Sequence, residues 1–158
     1  MPTGATQFQR EVCAGFTLLE LVVVLAIAAL TAALVLPNGR GATARATLSA
    51  SAARFAAALR IARAESLRTS TDQTVSIELE NRTYWSDTEP THRAFDRRIN
   101  VQLMDDTLEW DGSVRRFRFR PDGGATGAVV VLGDGNSSAR VGVDWLTGAT
   151  TLRTGREP

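Results

Sequence analysis

The chain has 158 residues, with 18 basic against 17 acidic side chains for a net charge of +1. That length favours one domain, and that balance gives no general argument for nucleic acid as a partner. The only cysteine, Cys13, lies in the first fifteen residues, and His92 is the only histidine. With no nucleophile motif and no metal-ligand spacing, the residues point away from an enzyme and ask for no cofactor and no metal.

Residues 1–15 are too polar for the apolar core of a secretory signal peptide. From Phe16 to Leu36 only Thr17, Glu20 and Thr31 are polar. A helix of about 21 residues reaches roughly 32 Å, enough to cross a hydrocarbon core about 30 Å thick. Glu20 is the exception in that run. A carboxylate inside an apolar helix costs about 2.5–3.5 kcal/mol on insertion scales, so it needs a partner or a solvated position. If the chain is cut after Gly15, the new α-amino group of Phe16 supplies a cation one turn away, on a neighbouring copy or a related chain. Solvation of Glu20 at the headgroup level is the alternative, and charge and spacing leave both open.

Pro37-Asn38-Gly39-Arg40-Gly41 is a breaker cluster that should kink or interrupt the helix. A second helix is predicted from about Thr43 to Thr69. Leu48, Ala52, Phe55, Leu59, Ala62 and Ser66 recur at four- and three-residue steps and form one narrow stripe. The stripe reads as the seam between the helix and its own sheet, in preference to a face for neighbouring subunits. Arg54, Arg60, Arg63 and Arg68 read as a solvated face.

Beyond Asp72 the period becomes two. Val75, Ile77 and Leu79 alternate with Ser76, Glu78 and Glu80 as in a half-buried strand, and Asn81-Arg82 turns the chain into Thr83-Tyr84-Trp85. Residues 86–98 are expected to form a polar, irregular connection, either a contact loop or a tolerated one. Asn100 to Trp110 and Ser113 to Arg120 read as one hairpin about Asp111-Gly112. In that register Asp105, Thr107 and Glu109 share a face with Arg118, Arg116 and Val114, while Met104, Leu108 and Trp110 share the other with Phe119 and Phe117. Ala128 to Leu132 and Ala139 to Val143 form another strand pair, and Ala149 to Arg153 a last short strand. A helix followed by antiparallel strands is an α+β arrangement.

Gly15-Phe16-Thr17-Leu18-Leu19-Glu20, the apolar run after it and Pro37 resemble the processing site and N-terminal helix of type IV pilins and type II secretion pseudopilins. Further along, Ala62-Arg63-Ala64-Glu65-Ser66, Phe119-Arg120-Pro121-Asp122-Gly123-Gly124 and Val143-Asp144-Trp145-Leu146-Thr147-Gly148 are similar to the H-type minor pseudopilins, the GspH/FimT family. The resemblance implies a type IV pilin-like α+β fold, a long N-terminal helix packed on an antiparallel β-sheet domain. It also implies a leader over 1–15, a transmembrane and assembly helix over 16–36, a hinge and periplasmic helix over 37–70, and the sheet domain over 71–158. Prepilin peptidase would cut between Gly15 and Phe16 and methylate the Phe16 amine, Glu20 would take part in assembly, and Pro37 would mark a helix kink. The implied setting is a single-pass inner-membrane protein with a periplasmic C-terminal domain, assembled near the tip of a pseudopilus. Its implied partners are the major pseudopilin and the I-, J- and K-type minor pseudopilins, with the secretin or exported cargo beyond them. A positive-inside count over Arg40 and Arg45 alone would place that side in the cytoplasm.

Two rival readings accompany this one. Arg115-Arg116-Phe117-Arg118-Phe119-Arg120 interleaves basic and aromatic residues as single-strand binders do, and DNA-uptake pilins belong to the same broad family. Alternation instead buries Phe117 and Phe119 and sets the arginines beside Asp105 and Glu109 as cross-strand pairs, so nucleic acid is the lesser expectation. Asp105, Asp106, Glu109 and Asp111 could also form an acidic metal site, although pairing with arginine is the simpler arrangement.

Overall fold

The computed structural model describes residues 17–35, 39–104 and 108–156. The chain divides into two units, residues 1–39 and 40–158. Gly15, Phe16, Pro37, Asp105 and Asp106 lie outside the described residues.

In the first unit, helix α1 (Leu18–Val35) occupies the apolar run. It is apolar on every side apart from Glu20 and Thr31, and its described side chains are exposed, Leu18 at 84% and Leu30 at 70%. Among the described residues no helix is long and apolar enough to cross a membrane.

In the second unit, helix α2 (Gly39–Thr69) is alanine-rich and free of proline, which suits a long helix. It begins at Gly39 and not near Thr43, so Gly39, Arg40 and Gly41 belong to the helix and not to a breaker. It ends where Ser70 takes a positive φ of 54°, the left-handed conformation common just past a helix C-terminus. Every residue of the expected stripe, Leu48, Ala52, Phe55, Leu59, Ala62 and Ser66, is buried. The stripe is therefore the seam onto the protein's own sheets. Phe55 is its centre, with ring centroids 5.1 Å from Tyr84, 5.6 Å from Phe95 and 6.1 Å from Phe117, each edge-on. Burying a side chain of this size contributes about 1.5–3 kcal/mol.

Among the described residues the strands form two antiparallel sheets. The first has five strands in the order β3-β2-β1-β6-β5: β1 (Gln73–Glu78), β2 (Thr83–Ser86), β3 (Glu89–Ala94), β5 (Glu109–Asp111) and β6 (Val114–Phe119). The second has four in the order β4-β7-β8-β9: β4 (Asn100–Leu103), β7 (Ala128–Gly133), β8 (Ser137–Val143) and β9 (Thr150–Arg156). One apolar core joins α2 to both sheets.

Three expectations change. Residues 86–98 are not all irregular, because Glu89–Ala94 is an edge strand exposed at every position. Such a strand covers no core, so it shows no apolar alternation, and Pro90 is tolerated at the edge. Residues 100–120 do not form one hairpin. Val101 and Leu103 stand opposite Leu132 and Val130 in the second sheet, while Glu109–Asp111 pairs with β6. The short β5-β6 loop is Gly112-Ser113, with Asp111 opposite Val114, two residues from the expected register. Gly112 opens this loop with a positive φ of 62°, which glycine adopts without a Cβ clash. The faces keep their identity under a two-residue shift. Finally, the helical arginines are not all solvated, as the motif loops show.

Candidate functional site

At the start of α1, Thr17 precedes the first helical turn and Glu20 sits three residues on. The Glu20 N–H donates to Thr17 Oγ1 at 3.3 Å and to the Thr17 carbonyl at 3.0 Å. Thr-x-x-Glu before an apolar run is the capping-box pattern, in which the threonine hydroxyl satisfies a backbone donor the helix itself cannot. An acidic residue in the first turn also complements the helix dipole. Thr17-Leu18-Leu19-Glu20 thus carries a local reason for both polar residues that the sequence reading missed, although the signal was present in the spacing. Glu20 is exposed, and the helix start holds its Cα at a fixed place while leaving its carboxylate on the surface.

A second constellation lies where α2 ends. Three family-like segments meet there, Ala62–Ser66, Phe119–Gly124 and Val143–Gly148. Arg63 Nε donates to the Thr147 carbonyl at 2.9 Å, and Arg60 reaches the Thr150 carbonyl at 3.5 Å. Both arginines were expected to be solvated; Arg60 is exposed and only reaches the start of β9, whereas Arg63 tethers the β8-β9 loop to the helix. The Ser66 hydroxyl lies 2.9 Å from the Arg63 carbonyl and 3.4 Å from that of Arg120. Between the two loops, Ala125 N–H donates to the Trp145 carbonyl at 2.9 Å.

Within the β8-β9 loop, Asp144 Oδ1 accepts from Leu146 N–H at 3.1 Å, Thr147 N–H at 2.8 Å and the Thr147 hydroxyl at 2.8 Å. Those bonds, the hydroxyl foremost, hold the Asp144 carboxyl below its ordinary pKa. Gly148 has φ +62°, and a Cβ there would lie 2.9 Å from the Gly123 carbonyl and 3.0 Å from Arg63 Nε. The close packing requires glycine twice over. The product is a fixed loop that leaves Trp145 and Leu146 65% and 64% exposed. Asp122 closes the neighbouring turn by accepting Gly124 N–H at 2.8 Å.

The arginine run of β6 behaves as cross-strand pairing requires. Phe117 and Phe119 are buried. Arg116 meets Asp111 at 2.9 Å, and Arg118 meets Glu109 at 2.8 Å with Asp72 at 4.0 Å. Glu109 and Asp111 are thereby committed to arginine. That arrangement disfavours both the DNA reading of this run and the acidic metal reading, whose other members, Asp105 and Asp106, are outside the described residues.

A helix laid on antiparallel sheets behind a Gly-Phe-Thr-Leu-Leu-Glu start defines a subunit of the type IV pilin-like class. Comparison with known proteins narrows this. The prokaryotic N-terminal methylation motif matches residues 12–36, and the family model of the type II transport protein GspH matches residues 51–148. The chain belongs to the GspH family, the H-type pseudopilins of type II secretion. Its fold is similar to that of the minor pseudopilin EpsH from the type 2 secretion system of Vibrio cholerae, at 14% identity and a TM-score of 0.55, covering 67% of this chain and 95% of that one. It is also similar to the type IV minor pilin FimU of Pseudomonas aeruginosa, at 10% identity and a TM-score of 0.53, covering 67% and 92%. Identities this low bear on the fold alone. No curated protein matches the chain.

Proposed function

We propose that this protein is a minor pseudopilin near the tip of a type II secretion pseudopilus, supporting the export of folded proteins from the periplasm across the outer membrane. The observation that carries the reading is the presence in one chain of the methylation motif over 12–36 and the GspH match over 51–148. In this reading, prepilin peptidase removes residues 1–15, cutting between Gly15 and Phe16, and methylates Phe16. Residues 16–36 hold the subunit in the inner membrane as a single pass before assembly. Support for that comes from the apolar sequence run, and from α1 being apolar on every side apart from Glu20 and Thr31, as helices that end up in lipid or among other helices are. The role is mechanical, without a catalytic step.

On assembly the helix leaves lipid for the company of other subunits' helices, where Glu20 meets the amine of a neighbour's Phe16. Pro37 marks a kink between the membrane helix and the periplasmic part. The sheet unit stays at the filament surface, with the I-, J- and K-type minor pseudopilins and the major pseudopilin as neighbours and the secretin or cargo within reach. The tip placement is tested by co-purification of the full chain in detergent with its I-, J- and K-type partners. Recovery of all three supports it, and recovery of the major pseudopilin alone contradicts it.

A further inference from the structure

We infer that the outward face of the four-stranded sheet is a docking surface for an acidic segment of another protein, held by Arg140 and Arg153. In the β8-β9 ladder these two arginines are direct Cα partners, and both are exposed. Like charges directly opposite on neighbouring strands destabilise a sheet. Among the described residues neither arginine has a carboxylate within ion-pair distance. The other sheet is built differently, since Arg93, Arg116 and Arg118 each meet an acidic side chain. The row across the outward face runs Gln102, Val131, Arg140, Arg153 and contains no acid.

The surroundings fit a partner that lies flat. Gly155 follows Arg153 on the same face, and a Cβ there would meet nothing within 4 Å, while one at Gly142, which follows Arg140, would meet Thr151 Oγ1 at 3.1 Å. Glycine inside a strand forgoes side-chain packing, and it often marks a place where another backbone comes close. Partner residues across an antiparallel ladder stand about 4.5–5.5 Å apart. An extended segment carries alternate side chains on one face about 7 Å apart, so two carboxylates at i and i+2 can each meet one guanidinium, in charge-assisted and often bidentate bonds. Nucleic acid fits less well. Duplex binding draws on many phosphate contacts along a basic stripe, and this face offers two arginines beside valine, glutamine and glycine.

The test uses the full chain in neutral detergent and two labelled probes, a ten-residue peptide alternating glutamate and threonine and a twenty-base-pair DNA duplex. At low salt the peptide should bind, and R140Q/R153Q should weaken it about tenfold. R116Q/R118Q, in which the arginines already have acidic partners, should bind as the parent does. The thermal midpoint of R140Q/R153Q should equal or exceed the parent's, because a like-charge pair is relieved. Equal loss in both variants, no peptide binding, or tighter binding of DNA than peptide that is lost in R140Q/R153Q would each overturn the inference. A lowered midpoint in R140Q/R153Q would do so as well, by giving the pair a structural role.

Discussion

Glu20 shows how one residue can serve two ends. Its place three residues after Thr17 belongs to a helix start, and in the proposed function its charge serves assembly. The two are separable by substitution. Glu20→Gln keeps a capping-box residue and removes the charge, whereas Glu20→Leu removes both. Both variants should insert in the membrane normally and fail to enter the filament, as read by shearing and fractionating assembled pseudopili. Normal incorporation of Glu20→Leu would instead mean that the carboxylate is merely solvated. Processing is read at Phe16: co-expression with prepilin peptidase should give a chain beginning at N-methyl-Phe16 by mass spectrometry, and an intact Met1 terminus would refute cleavage. Gly148→Ala should lower unfolding free energy by about 1–3 kcal/mol in a denaturant titration, through a strained backbone and a crowded Cβ. Two aspartates contribute to the acid limit. Asp96 is held down from 3.8 to about 2 by its hydrogen bonds from Arg98, and Asp144 is also lowered. A depressed carboxylate stabilises the fold above its ordinary pKa and loses that contribution as pH falls through the folded value. Thermal midpoints should therefore hold down to about pH 4 and fall between about pH 4 and 2. That fall should be shallower in D96N/D144N, and an unchanged profile would remove these two groups from the account.

Among the elements, α2 organises the second unit. Its stripe was legible because helical periodicity and full burial coincide, and the burial of Leu48 through Ser66 follows from spacing alone. Phe55→Ala should cost about 3–5 kcal/mol of stability, measured by the same titration, because three aromatic rings lose their common partner. A loss under 1 kcal/mol would mean the core is not organised around that ring. The β strands were legible where one face is apolar and the other polar, as at Val75 and Ile77. They were not legible where that contrast fails. Glu89–Ala94 is exposed on both faces and so carries no pattern. The segment 100–111 reads as continuous strand, yet Val101 and Leu103 find apolar partners in the second sheet and Glu109 finds arginines in the first. A strand pattern shows which face is buried, not which sheet buries it. Arg63 departs from the expected solvated face for a related reason. Its acceptor is a backbone carbonyl of a distant loop, which residue types do not reveal.

At the scale of the whole molecule, the chain combines a largely apolar N-terminal helix with a well-packed α+β unit. The candidate site was legible in its motifs, Gly15 to Glu20 and the segments around Asp122 and Asp144. What the motifs accomplish locally was not. Asp144, Gly148 and Arg63 cooperate to hold a fixed loop that presents Trp145 and Leu146. The facing arginines of the second sheet, Arg140 and Arg153, emerge only once strand register is known. The central claim is that this subunit serves protein secretion. The most direct measurement is the periplasmic retention of normally secreted proteins in a strain lacking this gene, beside the same strain complemented. Retention that complementation relieves is the expected result; normal export in the deletion strain would contradict the claim.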